Sequence, residues 1–167
     1  MKVRQGHNTK QALGYNYFEW RQFFNDRQLL ALSTLLDGIM TIEDRAIREQ
    51  FLCLFSGTLE FNNMFCSFKG EGTGAVRHMF SHHILKPERT PLENSVWGTE
   101  RSSGTFLTLF HSRLLRAQEY LRRPFEIKAF SDGEKLKSEK IFSNRAVNPT
   151  LVNSFASLSL SVVIHQL

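Results

Sequence analysis

FNDRQLLALSTLLDGIMTIEDRAIREQFLCLFSGTLEFNN, residues 24–63, is the stretch that decides the fold. Its first half carries apolar residues at helical spacing, namely Leu29, Leu32, Leu35, Leu36 and Ile39. This spacing predicts an amphipathic helix. Asn25 stands just before the stripe and Gln28 follows three residues later, an arrangement typical of a capping box. The stretch therefore opens with a helix whose start is well defined.

The second half of the stretch predicts another helix that begins at Thr41, with Asp44 three residues later. Glu43 and Asp44 suit the positive end of the helix dipole. Glycines interrupt each helix near its end, at Gly38 and Gly57. The predicted buried face consists of Ile47, Phe51, Leu54, Phe55 and Leu59. Because only a short turn separates the two helices, we expect them to pack as a hairpin.

A third helix is predicted to start near Ser102 or Ser103 and to run as far as Pro124, which ends it. Between the second and third helices the sequence predicts an extended, irregular connection. Four residues punctuate it: Pro87, Pro91, Gly98 and Gly104. The C-terminal residues alternate in part, at Leu158, Leu160 and Val162, which indicates a possible strand.

The predicted fold class is therefore mainly α, with three principal helices, an irregular Gly/Pro-rich connection and a possible C-terminal strand. We divide the chain into four segments. They are a flexible lead-in over residues 1–14, a helical segment over 15–126, a charged surface stretch over 127–149 with a turn at Asp132-Gly133, and an apolar tail over 150–167.

The composition indicates a globular protein of 167 residues with 41% hydrophobic and 22% charged residues. Fifteen phenylalanines predict aromatic-rich packing, and a net charge of +5 permits binding to a polyanion. The two cysteines, Cys53 and Cys66, lie in apolar surroundings and are predicted to be buried, reduced thiols. We find neither an apolar signal-peptide region nor a membrane span and expect a cytoplasmic protein.

FCSFKGEGTGAVRHMFSHHIL, residues 65–85, invites three chemical interpretations. A triphosphate-binding loop would end in Gly-Lys-Ser/Thr, whereas here Ala75-Val76-Arg77 follows the glycines. A metalloprotease helix would have a Glu between its histidines, and none separates His78 from His82. Nothing in the sequence orients a histidine toward Cys66 for thiol catalysis. A basic loop remains, which is either solvated or in contact with nucleic acid.

Three motifs together resemble the central segment of a family of bacterial DNA methyltransferases that modify an amino group, of the adenine-N6 type, using S-adenosylmethionine. They are the helix start Phe24–Leu30, the run Asn62–Cys66 with the glycine loop after it, and Trp97-Gly98 before Ser102-Ser103-Gly104. The resemblance covers roughly residues 15–126. It implies that the chain is a fragment of a Rossmann-like α/β enzyme.

The chain departs from this family in two motifs. The cofactor-binding Phe-x-Gly-x-Gly and the catalytic Asp-Pro-Pro-Tyr or -Phe are both missing, since the four prolines all stand alone. In the family the aromatic residue of the second motif stacks on the flipped base. We therefore expect no catalytic and no cofactor-binding residue in this chain, although the complete family enzyme uses S-adenosylmethionine. The missing catalytic half or an intact methyltransferase is a possible partner.

The resemblance implies that the chain engages DNA. The candidate contacts to phosphate or bases are Lys69, Arg77, His78, Arg89, Arg101 and Arg113, and the candidate loop-shaping glycines are Gly70, Gly72 and Gly74. Glycines let a backbone approach a phosphate closely. Phe65, Phe68 and Phe80 could stack on bases or pack in the core. Two alternatives stay open: a non-enzymatic basic DNA-binding or regulatory module, and a protein-interaction domain whose apolar tail pairs with a partner strand.

Overall fold

The computed structural model describes residues 1–70, 75–81, 84–88, 92–99, 102–132 and 135–146, which fall into two units, Met1–Leu115 and Arg116–Leu167. The helices of the first unit are α1 (Lys10–Gly14), α2 (Asp26–Met40), α3 (Arg45–Phe61) and α4 (Phe106–Leu109). Its strands are β1 (Ser67–Phe68) and β2 (Val76–Arg77). The second unit has α5 (Arg116–Arg122), β3 (Phe125–Asp132) and β4 (Lys135–Phe142).

Residues 1–14, predicted as a flexible lead-in, include helix α1 and make contacts that tie the N-terminus to the rest of the first unit. Val3 and Ala12 are buried in one hydrophobic cluster with Phe23 and Phe65. The N–H of Val3 donates to the carbonyl of Phe18 over 2.8 Å. The sequence pattern does not reveal this packing, because the apolar residues that carry it, Val3, Ala12 and Leu13, stand in polar surroundings without a clear period.

The two central helices form as predicted, and their caps explain their starts. The Asn25 side chain accepts from the N–H of Gln28, whose side chain accepts in turn from the Asn25 N–H, so the predicted capping box is present. The α3 helix begins later than the predicted start at Thr41, because Asp44 is its N-cap and accepts from the N–H of Ile47. Ile47, predicted to lie on the buried face, is 47% exposed, since it lies in the first turn, outside the contact with α2.

A second hydrophobic cluster joins α2 and α3 to α4. Ile39, Leu54, Phe106 and Leu109 are its buried members. The predicted third helix differs from the observed one in two respects. It starts at Phe106, where Thr105 caps it, rather than near Ser102, and α4 is followed by a π-helical turn over Phe110–Leu115.

Two antiparallel hairpins correct the prediction of a mainly α fold, and the described chain is mixed. In the first unit Ser67 pairs with Arg77 and Phe68 with Val76, so β1 and β2 flank the glycine loop. In the second unit β3 and β4 pair over their whole length, from Phe125↔Phe142 to Asp132↔Lys135. Asp132 is the last residue of β3, and Gly133 of the predicted Asp132-Gly133 turn lies outside the described residues. In β3 the apolar residues Phe125, Ile127 and Ala129 alternate with charged ones, a pattern typical of a half-buried strand, so the prediction of a charged surface stretch missed a signal that the sequence contains.

The structure also bears on the predictions for the cysteines, the apolar tail and a membrane span. Cys66 is buried, but Cys53 is exposed, because it lies on the outer face of α3. The possible strand in the apolar tail lies outside the described residues. Among the helices that the structure describes, none is long and apolar enough to cross a membrane.

Candidate nucleic-acid interface

The C-terminal end of α3 is the place where two of the predicted site residues meet. Phe61 is the last residue of α3, and its ring lies edge-on to His78 with 5.5 Å between the ring centroids. The guanidinium carbon of Arg113 lies 6.0 Å from the centroid of the same ring. Gly104 packs on this ring with φ +68, and a side chain there would overlap Phe61. Phe61 is thus the shared contact of His78 and Arg113.

Two exposed cations and an exposed ring lie together on the β1–β2 hairpin. The Lys69 N–H donates to the carbonyl of Ala75 over 2.9 Å and so extends the ladder beyond Phe68. Nη2 of Arg77 lies 3.4 Å from the carbonyl oxygen of Lys69. Phe68 is 60% exposed. Because Ser103 Oγ accepts from the Val76 N–H over 3.3 Å, the hairpin is tied to the turn that precedes α4.

His78 is directed toward α3 rather than away from the protein. Its Nδ1 lies 3.2 Å from Oε1 of Glu60, a contact that becomes an ion pair when the imidazole is protonated. The alignment is not that of a hydrogen bond. The imidazole thus contacts two neighbouring side chains of α3, Glu60 and Phe61. This placement favours a structural role for His78. Its contact to nucleic acid stays a prediction.

Arg113 lies on the π-helical turn, and a glycine of α3 makes room for it. A Cβ atom at Gly57 would come within 3.0 Å of Nη1 of Arg113. Gly57, which weakens the helix when judged by propensity alone, therefore lets the guanidinium lie close to α3 beside Phe61. The Arg113 side chain as a whole remains exposed.

Four of the predicted site residues, Arg89, Arg101, Gly72 and Gly74, lie outside the described residues. Gly70 is described, and a Cβ there would meet no atom within 4 Å. The described glycines with a positive φ are instead Gly98, at +71, and Gly104, at +68. Gly98 and Gly104 therefore have the backbone conformation that a loop-shaping glycine is expected to adopt. The sequence pattern marks both only as punctuation of a loop.

A buried polar network next to Phe61 also has no counterpart among the sequence predictions. Asn62 is fully buried, and its Nδ2 donates to the carbonyl oxygens of Thr58, at 2.8 Å, and Gly104, at 3.1 Å. The side chain of Asn63 accepts from the N–H of Phe65 over 2.9 Å. Buried polar groups are costly unless they are hydrogen-bonded. In the sequence, such a network is indicated by two adjacent Asn residues that follow an apolar helix.

Cys66 is not activated as a nucleophile. Burial raises the pKa of its thiol to about 11, against an ordinary value of 9.0, and the charge of Glu60 also raises it. Its Sγ lies 3.4 Å from the carbonyl oxygen of Glu60, to which the thiol donates. The thiolate is the reactive form of cysteine, so this environment disfavours thiol catalysis.

One cavity of the first unit lacks the charged groups that S-adenosylmethionine would need. It has a volume of about 560 Å³, and apolar side chains such as Leu35, Ile39, Phe51 and Trp97 line it. None of the described residues that line it has an ionisable side chain. The amino, carboxyl and sulfonium groups of the cofactor would thus lack charged partners, and burying unpaired charges is costly. No group of three or more His, Cys, Asp or Glu within the described ranges could hold a metal ion.

Comparisons of the chain with protein-family models, with curated proteins and with solved structures found no match.

Proposed function

We propose that this chain is a DNA-engaging segment of an S-adenosylmethionine-dependent amino-methyltransferase, and that it does not carry out methyl transfer by itself. The three quoted motifs support the family, and the two missing motifs support the lack of catalysis. The observation that carries the DNA contact is the β1–β2 hairpin. It presents Lys69, Arg77 and the exposed Phe68 within a few residues of each other.

The hairpin is suited to a nucleic-acid backbone for electrostatic reasons. Lys69 and Arg77 are both exposed, and within the described residues neither forms an ion pair with a carboxylate that would offset its charge. Phosphate contacts from such side chains supply affinity and position the protein on the nucleic acid. Arg113 contributes a further cation at the end of α3, held over Phe61.

The test is the salt dependence of binding to a fluorescein-labelled duplex, followed by anisotropy. Removing one cation that contacts a phosphate should reduce the slope of log K against log salt by about 0.9. The double variant Lys69→Gln/Arg77→Gln should therefore lower the slope by about 1.8. Lys10→Gln/Arg21→Gln removes the same charge from exposed positions elsewhere in the first unit and is the matched control. Equal slopes for the two double variants would contradict the hairpin contact.

Catalysis is tested separately with S-adenosylmethionine that carries a labelled methyl group. We expect no label in DNA with the chain alone. Transfer by the chain alone would overturn the proposal that it lacks the catalytic half. Restored transfer on adding a separately expressed catalytic half would support it.

A second candidate function is a non-enzymatic DNA-binding or regulatory module. The basic composition together with the missing motifs favours it. Both candidates predict salt-dependent DNA binding without methyl transfer. They differ in the effect on an intact methyltransferase, whose activity on a DNA substrate a regulatory module would change in a titration and a passive fragment would not.

A further inference from the structure

The second unit contains a cavity that combines cations with aromatic rings. It has a volume of about 410 Å³ and lies between α5 and the strand ends at Phe125 and Phe142. Ligand pockets of proteins are typically about 300–1,000 Å³, so the cavity is large enough for one small ligand. Its lining includes three cations and three rings: Arg116, Arg123, Lys140, Tyr120, Phe125 and Phe142.

The rings of this cavity hold the cations in place. The guanidinium carbon of Arg123 lies 4.2 Å from the centroid of Phe142, and Nζ of Lys140 lies 4.2 Å from the centroid of Phe125. The two rings meet edge-on at 5.7 Å, and Tyr120 meets Phe125 in the same way at 5.4 Å. Long basic side chains normally lose rotamer freedom on binding. Contact with a ring already restricts these side chains in the free protein, so they lose less rotamer freedom when a ligand binds.

The positive charge of the cavity is not neutralised by neighbouring carboxylates. Within the part of the chain that the structure describes, Arg116, Arg123 and Lys140 form no ion pair. Glu119 is the single acidic residue among the described residues that line the cavity. Residues 116–146 contain eight Lys and Arg and five Asp and Glu, a net charge of +3. An anionic ligand is therefore favoured over a cationic or neutral one.

The rings and the charges together define the ligand more closely than either does alone. An anion without a planar ring would pair with the cations but would make no stacking contact with the aromatic rings. A ligand with a phosphate and a planar ring uses both, because bases stack on aromatic rings and on guanidinium planes while phosphates pair with Arg and Lys. A base is available for such stacking only when it is unpaired.

We propose that this cavity binds one nucleotide unit of single-stranded nucleic acid. Arg116, Arg123 and Lys140 contact the phosphate, and the base stacks against Tyr120 and the guanidinium of Arg123. The site shares no residue with the duplex contact at the β1–β2 hairpin. It does not depend on the methyltransferase resemblance, and either proposal can fail without the other.

The test uses the full chain and a fluorescein-labelled twelve-residue oligothymidylate in an anisotropy titration. Lys140→Gln removes one phosphate contact and should lower the salt slope by about 0.7, the value for single strands. Lys128→Gln is the matched control. It removes the same charge from the same hairpin, but Lys128 pairs with Glu139 in the register and does not line the cavity. We expect its slope to equal that of the unmodified chain.

The stacking part is tested with Tyr120→Leu, which should weaken oligothymidylate binding by roughly fivefold or more, the lower range for loss of one base–aromatic stack. Arg123→Lys keeps the charge but loses the planar guanidinium, and should weaken binding while leaving the slope unchanged. Circular dichroism checks that each variant keeps its secondary structure. If Tyr120→Leu unfolds α5, Arg123→Lys carries the test of stacking.

An oligomer of the same length without bases separates the two ligand chemistries. Weaker binding of this abasic oligomer, by roughly fivefold or more, supports the site. Equal binding of the abasic oligomer and oligothymidylate would overturn it in favour of simple anion binding. Equal slopes for Lys140→Gln and Lys128→Gln would also overturn it. Weaker duplex binding in the β1–β2 variants, with oligothymidylate binding intact, would support two separate sites.

Discussion

Replacing Gly104 by alanine should destabilise the first unit strongly, because two independent requirements exclude a side chain there. The backbone at Gly104 has φ +68, in the left-handed region. A Cβ atom would also overlap the ring of Phe61, and the residue is buried. Its carbonyl accepts from Nδ2 of Asn62 over 3.1 Å, so the backbone cannot rotate freely to relieve the overlap.

The magnitude follows from these two terms. The left-handed conformation costs a residue with a side chain about 1–2 kcal/mol. Forcing an additional methyl group into a packed site costs about 1–3 kcal/mol. We therefore expect the free energy of unfolding to fall by about 2–5 kcal/mol. Small proteins have m-values of about 1–3 kcal/mol/M in urea, so the midpoint should fall by about 1–2 M or more.

The assay is urea unfolding followed by the fluorescence of Trp20 and Trp97, both of which lie in the first unit. Gly38→Ala is the matched control: Gly38 lies within α2, and a Cβ there meets no atom within 4 Å. It should raise the free energy of unfolding by about 0.5–1 kcal/mol, since Gly is unfavourable inside a helix. A Gly104→Ala variant within about 0.5 kcal/mol of the unmodified chain would refute the packing of Phe61 on Gly104, because surface changes alone reach that value.

Two further predictions follow from the cap of α2 and from the buried thiol. Asn25→Ala should reduce the free energy of unfolding in urea by about 1 kcal/mol, because the N–H of Gln28 loses its acceptor, whereas Asn25→Ser keeps an acceptor without adding charge beside Glu93 and should cost less; equal reductions would speak against the cap. In the folded chain at pH 8, iodoacetamide should modify the exposed Cys53 and spare Cys66, as mass spectrometry of peptides can show. The raised pKa of Cys66 means that its contribution to stability is complete below the unfolded value of 9.0 and is lost as the pH rises toward about 11. Equal modification of both thiols at pH 8 would contradict the burial of Cys66.

The parts of the fold that local chemistry determines could be predicted from the sequence. The start of α2 at Asn25 is an example, because the cap and its partner Gln28 lie three residues apart. The predicted start of α3 is too early because Thr41 is the C-cap of α2, with its hydroxyl donating to the carbonyl of Gly38, and Asp44 is the N-cap of α3. The β3–β4 hairpin has a local signal that was missed, since apolar and charged residues alternate over residues 125–129 and an Asp-Gly dipeptide follows in the sequence. The strands β1 and β2 have two residues each, which is too short for periodicity to reveal.

For the candidate site, the sequence predicts which types of residue are present but not how they are arranged. Lys69 and Arg77 stand close together in the sequence, and the hairpin keeps them close. The contact of Arg113 with Phe61 joins residues 52 positions apart, and the sequence around Gly104, which packs on the same ring, predicts only the start of a helix. No local pattern encodes that arrangement, because it arises when α4 docks on α3.

The fifteen phenylalanines predict an aromatic-rich core, and those that the structure describes include buried rings, rings in contact with cations and exposed rings. Phe23 and Phe65 are buried and pack against each other, with 4.4 Å between their centroids. Phe125 and Phe142 instead lie beneath a lysine and an arginine. An exposed cation held by a ring keeps its charge available to an anion and is already partly ordered before the anion arrives. The aromatic rings outside the core therefore make this basic chain better suited to binding an anionic ligand than its net charge of +5 alone indicates.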